Sequence, residues 1–287
     1  FNGSGVMSRP GFLILRSLLL TAVKGKIVRA LTQVKYASSV WARLIPTTAF
    51  VFPLALKAMA DVSVIQEADK LYDDYKVEDA YNLLSKYRDS KCDEYLWRLA
   101  RIIYEKSKAV DNPEKKKLIF EAFDIIQEAL KINDKNFSCY KWNAVLLNKK
   151  SEQEGTKQRI QEAENVKANM EKGLELNPKD ASLHHMLGLW CYNVADLPWI
   201  QRSIASAVFA TPPTSSYEEA LESFLKAEEI SPNFYCMNLA MIGRCYMKLK
   251  NKEKAIEYLS RIKGMTIKTA DDKQALKESD EMLKSLK

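Results

Sequence analysis

The sequence predicts an all-α fold: a superhelical solenoid of about five degenerate helix pairs with a C-terminal cap helix. Three observations predict it. From Asp61 onward apolar residues recur at helical spacing, and no stretch alternates apolar and polar residues between turn signals as a strand would. Only 9 Gly and 9 Pro punctuate the 287 residues, too few for the tight turns of an all-β chain. The helical spacing then repeats along the chain, as it does when each helix pair buries its apolar face against the next.

The repeat is clearest near the C-terminus. Leu239, Ile242, Gly243, Tyr246, Ala255, Leu259 and Ile262 stand at relative positions 4, 7, 8, 11, 20, 24 and 27. This is the spacing of a tetratricopeptide-like helix pair. Small residues at positions 8 and 20 let two helices approach, large ones fill the space between, and Asn251 lies in the turn. One pair upstream, Leu187, Gly188 and Cys191 match Ala220, Phe224, Ala227 and Pro232 across an insertion of twenty residues. Next, Trp142, Val145 and Leu146 match Val166, Met170, Gly173 and Pro178 across eight extra residues. Trp97, Ala100, Arg101 and Tyr104 match Ala122, Ile126 and Ala129, and Ile65, Ala68 and Tyr72 match Ala80, Leu84 and Tyr87. A helix near Ala270–Leu286, rich in Lys, Glu and Asp, closes the array as a polar cap. Within the long insertion, Pro198 and Trp199 open a short helix through Phe209, which Thr211-Pro212-Pro213 stops. Trp199, Ile204 and Val208 are expected to seat it on the solenoid.

Charge divides the chain into two domains. Residues 1–60 hold eight Lys or Arg and no acid, whereas 61–287 hold 36 bases and 37 acids. The net charge of +7 therefore belongs to a basic leader, 1–60, ahead of a near-neutral repeat domain, 61–287. A near-neutral body argues against nucleic acid as a partner. Met7 reads as the start and Phe1 to Val6 as upstream sequence. The leader's acid-free mixture of Leu, Ala, Ser, Thr and Arg matches a mitochondrial transit peptide. A short interfacial anchor and a tail without structure are the other readings. Leu13 to Val23 is interrupted by Arg16, and Leu44 to Leu56 contains Pro46 and Pro53. Both fall short of the roughly twenty apolar residues that span a bilayer.

Composition also argues against an enzyme. The two His, His184 and His185, are adjacent, and the five Cys are scattered without a C-x-x-C pair. No phosphate loop, G-x-S-x-G or H-E-x-x-H motif occurs. The expectation is no catalytic residue, no metal and no cofactor, with the thiols free in a reducing compartment.

Several segments carry a resemblance. They are Glu175-Leu-Asn-Pro-Lys-Asp-Ala181, Leu187-Gly188, Trp190-Cys191-Tyr192, Pro198-Trp199-Ile-Gln-Arg202 and Phe209-Ala-Thr-Pro-Pro213. Tyr217-Glu218, Pro232-Asn-Phe-Tyr235, Trp97-Arg98-Leu99-Ala100-Arg101 and Lys141-Trp142 belong with them. Over roughly residues 62–260 the chain resembles the regulator of microtubule dynamics family. The resemblance implies a non-enzymatic tetratricopeptide-like scaffold that binds microtubules and acts in microtubule and spindle organisation. It implies a location at mitochondria and in the cytoplasm, with the cytoskeleton and spindle poles. Larger members carry a transmembrane anchor, a coiled coil and a receptor-docking motif, and one binds phospholipid through its repeats. This chain has no room for the coiled coil before Asp61, so it resembles the short member. The alternative function is a mitochondria-associated module that binds lipid or an amphipathic helix in membrane contact or tethering.

In solenoids of this type the first helix of each pair lines a concave groove. Applied to the register above, this selects Arg98, Ile102, Tyr140, Asn143, Leu147, Lys150, His185, Leu189, Tyr192, Met237, Arg244 and Met247. An apolar and aromatic lining with isolated cations suits an amphipathic helix or an acyl chain with an anionic head, a phospholipid among them. The other reading is that these residues pack against the insertions or the cap. Lys115, Lys116 and Lys117, placed in the loop of the second pair, are candidates for electrostatic contact with acidic tubulin tails. Membrane contact is assigned to the leader.

Overall fold

The computed structural model describes residues 62–209 and 212–287. The leader, 1–60, lies outside the described residues. Among the described residues the chain is helical, with no strand. Five helix pairs follow one another: α1 (62–73) with α2 (Val77–Leu84), and α3 (Asp93–Ser107) with α4 (Asn112–Ile132). Then come α5 (Phe137–Glu154) with α7 (Ala163–Leu176), α8 (Ala181–Ala195) with α10 (Tyr217–Ile230), and α11 (Cys236–Lys248) with α12 (Lys252–Arg261). Helix α13 (Ala270–Ser285) packs on α11 and α12 as the closing helix. Two extra helices, α6 (Thr156–Gln161) and α9 (Trp199–Val208), are the insertions within the third and fourth pairs, and they pack on each other.

Local chemistry sets the ends of these helices. Asn136, Asp180 and Asn251 each cap a helix by accepting a backbone N–H from Ser138, Leu183 and Lys254. Ser216 with Glu219, and Thr269 with Asp272, form reciprocal capping boxes at the starts of α10 and α13. Gly155, at φ 112°, turns the chain from α5 into α6. That conformation strains any residue with a Cβ. Apolar stripes at helical spacing then build two core clusters. One gathers Ala68, Leu84, Tyr95, Leu96, Ile102 and Ile126 from the first pairs. The other gathers Met170, Leu183, Trp190, Phe224, Leu239 and Ile242 from the later ones. No helix among the described residues is long and apolar enough to cross a membrane.

Two expectations need correction here. Lys115, Lys116 and Lys117 are not in a loop. Pro113 stands at the start of α4, where its fixed φ favours helix and its missing N–H costs nothing, so the lysines fall on the first turns. Trp199 does not seat α9 on the solenoid: it is 75% exposed. Ala205 is the buried anchor instead, with Ile204 and Val208 half-buried beside it.

Candidate functional site

The expected groove residues separate into two groups. Ile102 is fully buried in the first core cluster and faces no groove. Asn143 is buried and spent in an amide relay: it accepts from Gln127 Nε2 at 2.6 Å and donates to Asn169 Oδ1 at 2.7 Å. His185 is buried among Phe224, Phe234 and Tyr235, and its Nδ1 lies 2.9 Å from Asn238 Oδ1. Burial pushes its pKa down to about 4, only partly opposed by the Asn238 bond, so the ring is neutral near pH 7. Tyr192 is buried against Tyr217, and burial, with Asp196 nearby, raises its phenol to about 12. Packing from neighbouring helices takes up these residues, Asn143 from α4 and α7, His185 from α10 and α11 and Tyr192 from α10, so a register that selects one face cannot separate groove from core.

Tyr140, Leu147, Leu189, Met237 and Met247 are half-buried. The three expected cations are each already paired. Arg98 is buried, forks onto Asp69 at 2.9 and 2.7 Å, and also meets Glu94. Arg101 shares the same Asp69 at 2.8 Å and lies over the Tyr72 ring at 3.8 Å. Burial works to raise the Asp69 carboxyl, but the two guanidiniums prevail and hold it below its ordinary value. Lys150 pairs with Glu154 at 2.7 Å and lies over Phe120 and Phe123. Arg244 pairs with Glu278 of the closing helix at 2.6 Å. An anionic ligand would have to displace these partners, which removes much of the attraction expected of them.

The two insertions build what the register did not foresee. Between α5, α7 and α8, and under α6 and α9, lies a cavity of about 630 Å³. Its wall is mainly apolar: Ala144, Val145, Ile160, Val166, Met170, Met186, Leu189, Trp190, Val194, Leu197 and Ala205. Trp190 is fixed there by its Nε1 donating to the Ala163 carbonyl at 2.9 Å. The polar groups in the lining include Asn148, Lys149, Thr156, Arg159, Asn193, Asp196 and Gln201. Lys149 pairs with Glu152 at 2.9 Å, and Arg159 is exposed and meets Glu152 only through a longer-range charge interaction. Leu189 is the one expected groove residue that lines this cavity. A sequence signal for it did exist. Both insertions fall after the first helix of consecutive pairs, so both emerge from the same edge of the solenoid.

Among the described residues no cluster of His, Cys, Asp and Glu has the arrangement of a metal site. Cys139, Cys191, Cys236 and Cys245 are buried, and burial raises each of their thiols. Lys116 and Lys117 are exposed on α4, and Lys117 lies 3.5 Å from Glu114.

These features define a helical-repeat protein of the tetratricopeptide type. A solved tetratricopeptide protein of Thermus thermophilus superposes with a TM-score of 0.53 at 13% identity, covering 77% of this chain and 97% of that one. This similarity concerns the fold. The chain belongs to the regulator of microtubule dynamics protein 1-3 family, whose family model matches residues 64–287. It is 41% identical over 232 residues to regulator of microtubule dynamics protein 1 of Bos taurus, covering 80% of this chain and 73% of that protein. It is 43% identical over 226 residues to the Mus musculus protein of the same name, covering 78% and 74%. Regulator of microtubule dynamics protein 3 of Xenopus laevis is 38% identical over 191 residues, covering 66% of this chain and 41% of that protein.

Proposed function

We propose that the chain is a non-enzymatic scaffold that binds microtubules and acts in microtubule and spindle organisation. Identity above 40% with proteins named as regulators of microtubule dynamics carries this reading. The solenoid fold supports it, because stacked helix pairs offer extended surface for a large partner. The exposed lysines at the start of α4 suit acidic tubulin tails by charge. Mitochondrial and cytoplasmic location belongs to the same proposal and rests on the acid-free leader. The test is co-sedimentation with microtubules assembled from purified tubulin. The chain should pellet with them, and Lys115→Glu, Lys116→Glu and Lys117→Glu together should lower the bound fraction severalfold. Equal pelleting of the triple variant would move the contact elsewhere. No pelleting of the full chain would overturn direct binding.

The cavity favours a second reading, an acyl-chain-binding module acting at mitochondrial membranes. Its volume of about 630 Å³ falls within the range of small-molecule sites. An amphipathic helix about 10 Å across would fit for only one to two turns, so an acyl chain is the better occupant. Arg159 at the rim suits its anionic head. Retention of a fluorescent fatty acid by the purified chain, competed by unlabelled fatty acid, tests it. A chain that retains none contradicts it.

A further inference from the structure

We infer that the paired insertion helices α6 and α9 form a docking tip for an anionic membrane surface, with Trp199 and Ile200 entering the lipid interface. On α9, Ala205 is buried, and Ile204 and Val208 are half-buried on the same side. The opposite side presents Trp199, Ile200, Ser203, Ser206 and Ala207 to solvent. An outward helix face in water ordinarily carries charge. Here Arg202 is the charge at its edge, and Trp199 and Ile200 are 75% and 56% exposed side by side. No large apolar side chain among the described residues is more exposed than Trp199.

The local charge points the same way. The repeat domain as a whole is near-neutral, yet no acid occurs from Leu197 to Ser216. Helix α6 reads Thr-Lys-Gln-Arg-Ile-Gln, with Lys157 and Arg159 exposed; of the acids that flank it, Glu152 and Glu154 hold Lys149 and Lys150, and Glu162 accepts from Gln158 and Asn165. The nearest acid before α9, Asp196, already holds Lys248 at 2.6 Å and accepts from the Tyr217 hydroxyl at 2.5 Å. Arg202 donates to the Ala195 and Leu197 carbonyls, which fastens the start of α9 to the end of α8. The apolar pair is thus held on α9, which carries no acid, beside the two bases of α6.

Area and chemistry select a membrane over a protein partner. Trp199 and Ile200 offer on the order of 300 Å² of apolar surface. A stable protein interface needs about 800 Å² per partner. A bilayer interface takes a single Trp and its neighbour without a shaped counterpart, and anionic headgroups attract the bases. Trp199 and Ile200 do not line the cavity, so their entry into lipid is read out separately from anything that fills it.

The test uses the full chain and vesicles of phosphatidylcholine with or without phosphatidylserine, some carrying brominated acyl chains. The Trp199 emission is the difference between wild type and Trp199→Phe. On anionic vesicles it should shift to shorter wavelength and be quenched by the brominated chains. Lys157→Gln, which does not touch the cavity, should weaken this partition by roughly fivefold at low salt. Trp199 and Lys157 are both exposed, so the melting temperature should not move. A chain that binds vesicles while its Trp199 emission stays unshifted is attached elsewhere, which overturns the inference. So does a chain that binds no vesicle. A shift that grows with protein concentration without vesicles would mark self-association and overturn it as well.

Discussion

Gly243 and Leu259 approach so closely that a Cβ on the glycine would stand 2.4 Å from Leu259 Cγ. The fourth pair repeats the relationship: a Cβ on Gly188 would stand 2.7 Å from Phe224 Cδ1. The partners are sixteen residues apart in one pair and thirty-six in the other, and the twenty extra residues are the insertion carrying α9. The same contact therefore sets the register of both pairs.

Gly243→Ala should destabilise the domain by about 1–3 kcal/mol. Overpacking against Leu259 outweighs the gain of up to about 1 kcal/mol in helix propensity. Gly264→Ala is the control, because nothing lies within 4 Å of the Cβ it would carry. Thermal denaturation of both variants checks this, at about 2–4 °C per kcal/mol for a domain of this size. A Gly243→Ala protein as stable as wild type would contradict the close approach.

His185 should make the fold acid-sensitive between pH 6.5 and about 4. Its folded pKa lies below the unfolded value, so the unfolded chain binds more protons in that window. Its contribution is intact above pH 6.5 and is lost as pH falls towards 4, by up to about 3 kcal/mol. His185→Phe gives up the bond to Asn238, lowering stability at every pH, but should flatten this slope. Urea denaturation at several pH values on both proteins measures it. Parallel pH profiles would show that His185 is not buried and neutral.

Asp69→Ala should cost about 3 kcal/mol, because Arg98 and Arg101 are both buried and both rely on that carboxylate. Glu114→Ala, which removes the exposed partner of Lys117, should change stability by less than about 1 kcal/mol. The Asp69 contribution is present above the ordinary carboxyl pKa and is lost as pH falls below it. Chemical denaturation of the two variants at neutral pH separates them. Similar losses from both would contradict the buried cluster.

Leu189→Asp should abolish fatty-acid retention while lowering stability by only about 1–2 kcal/mol, because this half-buried side chain faces a cavity water can enter. Leu183→Ala, at a fully buried position, should cost about 2–5 kcal/mol. Ligand retention and melting temperature on the same samples check both. An unfolded Leu189→Asp chain would place that residue in the core.

These contrasts mark what the sequence could convey. The order of the pairs, the closing helix and the place of both insertions were legible, because Gly188, Gly243, Ala220 and Ala255 punctuate apolar stripes at fixed spacing. The site was less legible. Asn238 reaches from α11 to His185 on α8, and Asn143 is held by two other helices, contacts that no single helix pattern encodes. Trp199 misled because a large apolar residue at the start of an amphipathic helix reads as an anchor, whereas the small Ala205 is what α9 buries. Spacing places both insertions at one edge of the solenoid, but the cavity depends on α6 packing on α9, a contact between side chains that spacing does not encode.

The central proposal is that this chain binds microtubules, with the lysines at the start of α4 as its contact. Its most direct test is co-sedimentation of the full chain as salt rises from roughly 50 to 200 mM, with wild type and the Lys115→Glu, Lys116→Glu, Lys117→Glu variant side by side. Screening shortens the reach of exposed charges over that range. The account predicts that most wild-type protein is released by the higher salt and that the variant is weakly bound throughout. Pelleting of wild type and variant that is equal and unmoved by salt would contradict it.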